Sequence, residues 1–511
     1  MIKKLQSFDR SAGILMAISS LPSPYGIGTF GKAAYDFVDF VSACNHKYWQ
    51  VLPMGPTTYG DSPYQSYSAF AGNPYFVDLD VLIQEGLLVP EEVNTIQWDG
   101  HPEYVDYERM YNYRYPVLRK AFSRFNDKLI ESKVKLAAGL PEYKCYENFE
   151  KANVDWLEDY ALFMALKLHY EYRAWSDWDE DIKKREPAAI KKYKEELKED
   201  IDFFKFIQYE FDKQWTKLKM YANKKGIEII GDIPIYMGYD SADVWANSGE
   251  FLLDENLTPT KVAGVPPDAF SDLGQKWGNP LYNWNKMEDD GFVWWRKRMQ
   301  HSAKLYDVIR IDHFIGIVKY YTIPAESPDA REGCYADGPA QKLLDVINDA
   351  IGSKKIIAED LGVALPEVDA ILEANNYPSM KVLEFAFGGD RKNPHLPYNY
   401  KKNCVVYGGT HDNETLMGYF SDHGEWELGY AFDYLDTRDR ARMVDNVFRL
   451  AYGSVADLVI FATQDILKLG NQARMNTPSS FGDNWKWRML PGALNDKHIN
   501  DMRYLASVFG R

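Results

Sequence analysis

The chain has 511 residues, 46% hydrophobic and 26% charged, with a net charge of −16 and a pI near 5.2. That length and balance suit a globular protein with one large core, or a core carrying substantial insertions. The acidic surface argues against nucleic acid and anionic lipid as partners.

The N-terminal apolar run 12–18 is too short for a signal or membrane segment and reads as a first core strand. Cys44, Cys145, Cys334 and Cys404 are scattered without a CxxC pair, as expected of reduced thiols in a cytoplasmic protein. Aromatic residues make up 15% of the chain. Sugar sites use such rings because the C–H face of a pyranose lies flat on an aromatic plane.

Eight β-rich runs follow in order, at 13–20, 48–54, 227–236, 307–314, 355–362, 380–387, 404–413 and 457–467. Most lack strict alternation, as expected of strands covered on both faces. Helical patterns lie between many of them. In 31–41, Ala34, Phe37, Val38 and Val41 recur at i, i+3, i+4 and i+7. The pattern predicts an α/β fold, a (β/α)8 TIM barrel with mainly helical insertions, forming one catalytic unit across 1–511. The largest insertion, roughly 70–225, falls between the second and third strands. Its charge-dense stretch 181–204 reads as a solvated helix face.

The run 307-DVIRIDHFIGI-317 places Arg310, Asp312 and His313 inside a strand otherwise fit for the core. Burying isolated charges is costly, so the site needs a use for them. Arg310 and Asp312 are two apart and share a face, with Asp312 nearer the strand's C-terminal end, where barrel enzymes build their sites. Glu359 and Asp360 close the fifth run, and His411 and Asp412 close the seventh. Three strand ends thus bring acids to one rim.

Cleaving a glycosidic bond with retention needs a carboxylate to attack the anomeric carbon. It also needs a carboxylic acid about 5–5.5 Å away to protonate the leaving oxygen. Taken singly, each acid reads more readily as an ordinary helix cap or loop salt bridge, and the pair before Leu361 has the look of an N-cap. Converging, they fit a retaining glycosidase, and a metal-dependent hydrolase barrel is the rival. Such barrels often carry a close His pair on the first strand, and 14–20 has none.

The blocks RIDHF, AEDLG and GGTHDN resemble those of the amylomaltases, 4-α-glucanotransferases of glycoside hydrolase family 77 in the α-amylase clan. So do 22–28, 59–76, 231–245, 262–284 and 474–478, spanning nearly the whole chain. The resemblance implies transfer of α-1,4-glucan segments between malto-oligosaccharides, with no metal or organic cofactor.

It implies Asp312 as nucleophile, Glu359 as general acid/base and Asp412 as transition-state stabiliser. Arg310, His411 and His313 match groups around the donor sugar, and Ser62 and Tyr64 match sugar contacts near them. Asp268, Phe270, Gln275 and Trp277 fall in a loop arching over the cleft, and Asn476 lies on the donor side. Tyr59 matches a position linked to a secondary glucan groove. Ser479 stands where the family commonly has glycine. Phe385 and Trp245 read equally well as core residues, and Phe385 is kept as a site candidate.

The carboxylates alone do not choose between transfer and hydrolysis. A mainly hydrolytic amylase-like enzyme and a silent glucan-binding protein remain alternatives. The segment 262–280, with Trp277 and Phe270 as an acceptor platform, is the feature expected to favour transfer.

Overall fold

In a computed structural model the described residues are 7–58, 60–134, 141–267, 271–363, 365–480 and 482–511. Eight parallel strands form the centre: β1 (Ser11–Leu15), β2 (Tyr48–Gln50), β3 (Glu228–Pro234), β4 (Val308–Asp312), β5 (Lys355–Ala358), β6 (Ser379–Val382), β7 (Cys404–Tyr407) and β8 (Leu458–Ala462). All eight overlap the runs read from the sequence, six lying wholly inside them, while β1 and β6 begin two and one residues earlier. They are hydrogen-bonded in the order 6-7-8-1-2-3-4-5. The β5–β6 gap is bridged where the Ala358 N–H donates to Pro378 O at 3.4 Å, completing the barrel.

The side chains sort by the strand period of two. Leu15, Tyr48, Ile230, Val308, Ile357, Met380, Val405, Tyr407, Leu458 and Ile460 pack into one small cluster, the barrel interior. Their neighbours Ile14, Trp49, Ile229, Ile309, Ile311, Val406 and Val459 belong to the larger core shared with the helices. Continuing the inward set by two brings Asp232 above Ile230, Arg310 above Val308 and Gln50 above Tyr48. The interior therefore changes from apolar at its floor to polar near the mouth. Gly231, on the outer face of β3, is approached so closely by Tyr306 that a Cβ there would lie 2.2 Å from its ring.

The first barrel helix, Lys32–Ala43, buries Ala34, Phe37, Val38, Phe40 and Val41, the face its spacing predicts. Between β2 and β3 lie helices that include Tyr115–Val134, Pro141–Ala152, Val154–His169, Pro187–Glu196 and Lys198–Lys224. The last of these also belongs to the barrel's outer layer. Its Phe211 and Trp215 pack on Phe30, and Trp215 meets Tyr306 just before β4. Pro187–Glu196 buries Ala189 and Tyr193 and turns its charges outward.

The insertions are not all helical. Lys261–Val265 and Gln275–Pro280 after β3, with Lys319–Pro324 and Cys334–Asp337 after β4, form a four-stranded antiparallel sheet. The expected loop over the cleft is thus a β-hairpin. Gln275 and Trp277 alternate with the exposed Lys276 and Gly278, and so lie on its inward side. The sixth run also ends early: β6 stops at Val382, and Leu383–Phe387 turn into a 3-10 helix. The alternation of Leu383, Phe385 and Phe387 therefore does not describe strand faces.

Candidate active site

Arg310 stands at the centre of the mouth. Its Nη1 donates to Asp232 Oδ1 and Oδ2 at 2.7 and 2.6 Å and to Asp312 Oδ1 at 2.9 Å. Burial works against this cation, but Asp232 and Asp312 outweigh it and push its pKa well above the ordinary value. The Asp232 carboxyl is lifted by burial, with Arg310 pulling the other way. Asp312 is the exposed end of the chain of charges, its side chain 27% accessible against 0% for Asp232.

Glu359 follows β5 directly. Ile311 is paired with Ala358, so Asp312 and Glu359 occupy the next register position on adjacent strands. Adjacent strands lie about 4.8 Å apart, close to the spacing that double displacement needs. Glu359 Oε2 accepts from the His313 N–H at 2.8 Å and Oε1 from the Leu361 N–H at 2.9 Å. Burial, and secondly the Asp312 charge, push its pKa up to about 8, while Arg310 and the two backbone donors oppose them. The carboxyl is thus protonated at neutral pH.

The first of those donors depends on strain. His313 takes φ 54°, the left-handed region that costs a residue with a side chain about 1–2 kcal/mol. That turn aims its N–H at Glu359. Its ring lies edge-on to Trp277, 4.8 Å away at 89°, and burial drops its pKa to about 4, so the ring is neutral.

Across the mouth, the segment after β7 presents His411 and Asp412. Asn476 Nδ2 donates to Asp412 Oδ1 at 2.6 Å, and Arg474 Nη2 donates to the Asp412 carbonyl at 2.7 Å. His411 Nε2 is 3.4 Å from Asp412 Oδ2. The Tyr64 ring stacks on His411 at 4.8 Å, and its hydroxyl donates to Asp232 Oδ2 at 2.8 Å. Tyr64 therefore ties the β7 side to the charges on β3 and β4. Ser62 Oγ accepts from the Tyr64 N–H at 3.3 Å and shapes the turn that delivers it.

The structure thus gathers Asp312, Glu359, Arg310 and His313 on one side, and His411, Asp412, Asn476, Tyr64 and Ser62 on the other. Trp277, bonded through Nε1 to Gln275 Oε1 at 3.1 Å, reaches the group through His313. Phe385 lies on the turn after β6, edge-on to His395 at 5.5 Å. Trp245 is 1% exposed and packs on Phe163 and Trp178, a core residue. Tyr59, Asp268 and Phe270 lie outside the described residues.

The sequence reading missed Asp232, Arg474 and Trp485, the last 5.7 Å from both Tyr64 and His411. Asp232 had a signal: in IIGDIP an acid sits at strand period from a buried isoleucine, as Arg310 does from Val308.

The family profile described as 4-alpha-glucanotransferase, glycoside hydrolase family 77, matches residues 16–494. The chain belongs to this family. A 4-alpha-glucanotransferase of Clostridium butyricum is 47% identical over 97% of this chain and 100% of its own length. One from Thermus thermophilus is 43% identical over 98% and 99%. Among solved structures, an amylomaltase from Streptococcus agalactiae in complex with acarbose superposes with a TM-score of 0.93. It is 38% identical and covers 98% of this chain and 99% of its own. Within the glucanotransferase family the match is thus end to end.

Proposed function

We propose that this chain moves α-1,4-glucan segments between malto-oligosaccharides by a retaining double displacement. The observation that carries the reading is the pairing of a protonated Glu359 with Asp312 held by Arg310, at adjacent register positions. Asp312 attacks the anomeric carbon of the donor as Glu359 gives its proton to the leaving oxygen. A covalent glycosyl–enzyme results, and Glu359 is left ionised. The 4-hydroxyl of an acceptor then passes its proton to Glu359 and attacks the same carbon, releasing Asp312.

Each charge change has a support. The Arg310 cation stabilises Asp312 as the nucleophile and again as the leaving carboxylate. Asp412, positioned by Asn476 and Arg474, faces the oxocarbenium-like transition state from the β7 side. His411, Tyr64, Ser62 and the neutral His313 are the hydrogen-bonding groups for the donor sugar. Tyr59, Asp268 and Phe270 complete the sugar contacts in this reading, and Phe385 contributes from the β6 side.

Transfer requires that a bound acceptor outcompete water, which oriented binding can supply through effective molarities of about 10⁵–10⁸ M. The hairpin 261–280, with Trp277 against His313, is placed to form the acceptor platform. The single-unit organisation, with its mainly helical insertion over roughly 70–225, is part of the same reading. The protein acts in the cytoplasm: its four cysteines are free, and among the described residues no helix is long and apolar enough to cross a membrane.

Product analysis with maltotriose tests this. A ladder of longer oligosaccharides plus glucose, absent with Asp312→Asn, is expected. Glucose and maltose without longer products would favour hydrolysis. Trp277→Ala should lower the transfer-to-hydrolysis ratio, and an unchanged ratio would remove the hairpin from the argument.

A further inference from the structure

Three tyrosine rings gather from the segments that follow β6 and β7. Tyr434 is 5.8 Å from Tyr430 and 6.5 Å from Tyr398, with ring planes turned by 37° and 36°. Tyr430 and Tyr434 share one face of the helix Gly429–Leu435, and Trp426 lies in the turn just before it. Tyr398 is 59% exposed and Trp426 91%. Large aromatic side chains left in water on one stretch of surface mark a binding site more often than chance.

The rings are held in place before any ligand arrives. Tyr434 rests on Phe387 at 6.0 Å. The Tyr398 hydroxyl donates to Arg391 O at 3.1 Å, and its neighbour Asn399 donates to Arg391 O and Asn393 O at 3.0 and 2.8 Å. Asn393 Nδ2 in turn donates to Phe385 O at 2.7 Å, which links the platform to the turn carrying Phe385.

We propose that Tyr398, Tyr430 and Tyr434, with Trp426 beside them, form a second binding surface for α-1,4-glucan chains, outside the bond-making cleft. The proposal rests on the reading of function above and extends it to long substrates. Three of the four rings carry hydroxyls, giving flat apolar faces with polar edges, the match for a pyranose. Between residues 388 and 440 the exposed large hydrophobics are Tyr398 and Trp426, both aromatic, rather than the aliphatic side chains of a protein interface core. Neighbouring ring planes are tilted rather than coplanar, by 36° and 37°. An α-1,4-linked chain curls and so presents successive sugar faces at an angle, whereas a β-1,4-linked chain is flat and would need coplanar rings. The Asn393–Phe385 hydrogen bond ties the surface to the turn after β6, the strand beside the one that leads into Glu359.

The test compares wild type with Tyr398→Ala and Tyr430→Ala, with Tyr398→Phe as the ring-preserving control. Two readouts are taken: retardation in native gels containing glycogen, and kinetics on both long amylose and maltotriose. Losing one ring is expected to weaken glycogen retardation and to raise the KM for amylose by about two- to tenfold. Tyr398→Phe, which keeps the ring but loses the bond to Arg391 O, should retain more glycogen retardation than Tyr398→Ala, and maltotriose kinetics should not move. Cellohexaose added to the gel should not compete, whereas maltoheptaose should.

Unchanged glycogen affinity in both Ala variants would overturn the proposal. So would a change in oligomeric mass by light scattering, which would make this face an interface between copies of the chain. Failure of wild type to disproportionate maltotriose would sink the reading of function, while the gel would still report on the platform.

Discussion

Two neighbouring strand ends carry a buried glutamate, Glu359 after β5 and Glu384 after β6. Burial pushes both up to about 8, Glu359 with help from Asp312 and Glu384 with help from Glu414. Their surroundings differ. Glu359 has a backbone donor on each oxygen and a reactive carboxylate at its side, and it opens onto the mouth. Glu384 is wedged under the segment that bears His411 and Asp412. Its Oε2 lies within 3.1 Å of where a Cβ on Gly409 would stand, and that oxygen has no hydrogen-bond partner. A raised pKa therefore does not by itself mark a catalytic acid. What separates them is a partner for the proton to serve.

The largest effect should come from Glu359→Gln, which removes the proton donor and the later base. A fall in kcat of about 10²–10⁴-fold is expected on maltotriose. Glu384→Gln keeps the shape of a neutral carboxyl and should leave kcat within about twofold. If the two variants lose comparable activity, the distinction fails.

Next in size is Arg310→Met, which leaves Asp232 and Asp312 facing each other without a cation. Chemical denaturation should show a loss of about 3–5 kcal/mol, the cost of breaking a buried charge pair by removing one partner. A loss below about 1 kcal/mol would mean the charges are better solvated than their burial implies.

The pH dependence sharpens the same contrast. Both glutamates bind a proton more tightly in the folded chain than unfolded, where a carboxyl titrates near its ordinary value of about 4.3. Between that pH and about 8 the native state holds more protons, so the stability they confer is full below the unfolded value and declines as pH rises. Glu384→Gln should flatten that decline and raise stability at pH 8 by about 1–3 kcal/mol. In wild type, kcat should fall above about pH 8 as Glu359 loses its proton, and Glu384→Gln should keep that limb in place. A limb that disappears with Glu384→Gln would assign the titration to the wrong glutamate.

The smallest effect concerns Ser479. It takes φ 63°, the left-handed region where glycine is at ease, at a position where the sequence departs from the family's usual glycine. Ser479→Gly should gain about 1 kcal/mol in thermal unfolding.

Much of this architecture was legible in the sequence because charge placed on an apolar strand has few explanations. The eight strands were found as runs of β-branched residues, and Arg310 and Asp312 were assigned one face from the period of two. What escaped depends on partners remote in sequence. Asp232 is a single acid inside a strand run, with nothing nearby in sequence to pair it, until Arg310 meets it from the next strand. The strand carrying Trp277 is polar and pairs only with 261–265, which in turn pairs with 319–324 rather than with the barrel, so composition reads as loop. The run 380–387 reads as strand to its end because Leu383, Phe385 and Phe387 alternate, whereas the backbone turns into a 3-10 helix at Leu383. The long helix Lys198–Lys224 blurs the insertion's edge by serving two layers at once.

The central claim is that Asp312 becomes covalently glycosylated and Glu359 is needed to release it. Mass spectrometry of Glu359→Gln after reaction with an α-maltosyl fluoride tests this directly, because fluoride leaves without a proton while release of the intermediate still needs the base. The account predicts a maltosyl adduct on the peptide containing Asp312, lost on the further change Asp312→Asn. Turnover without any adduct, or an adduct on another residue, would contradict it.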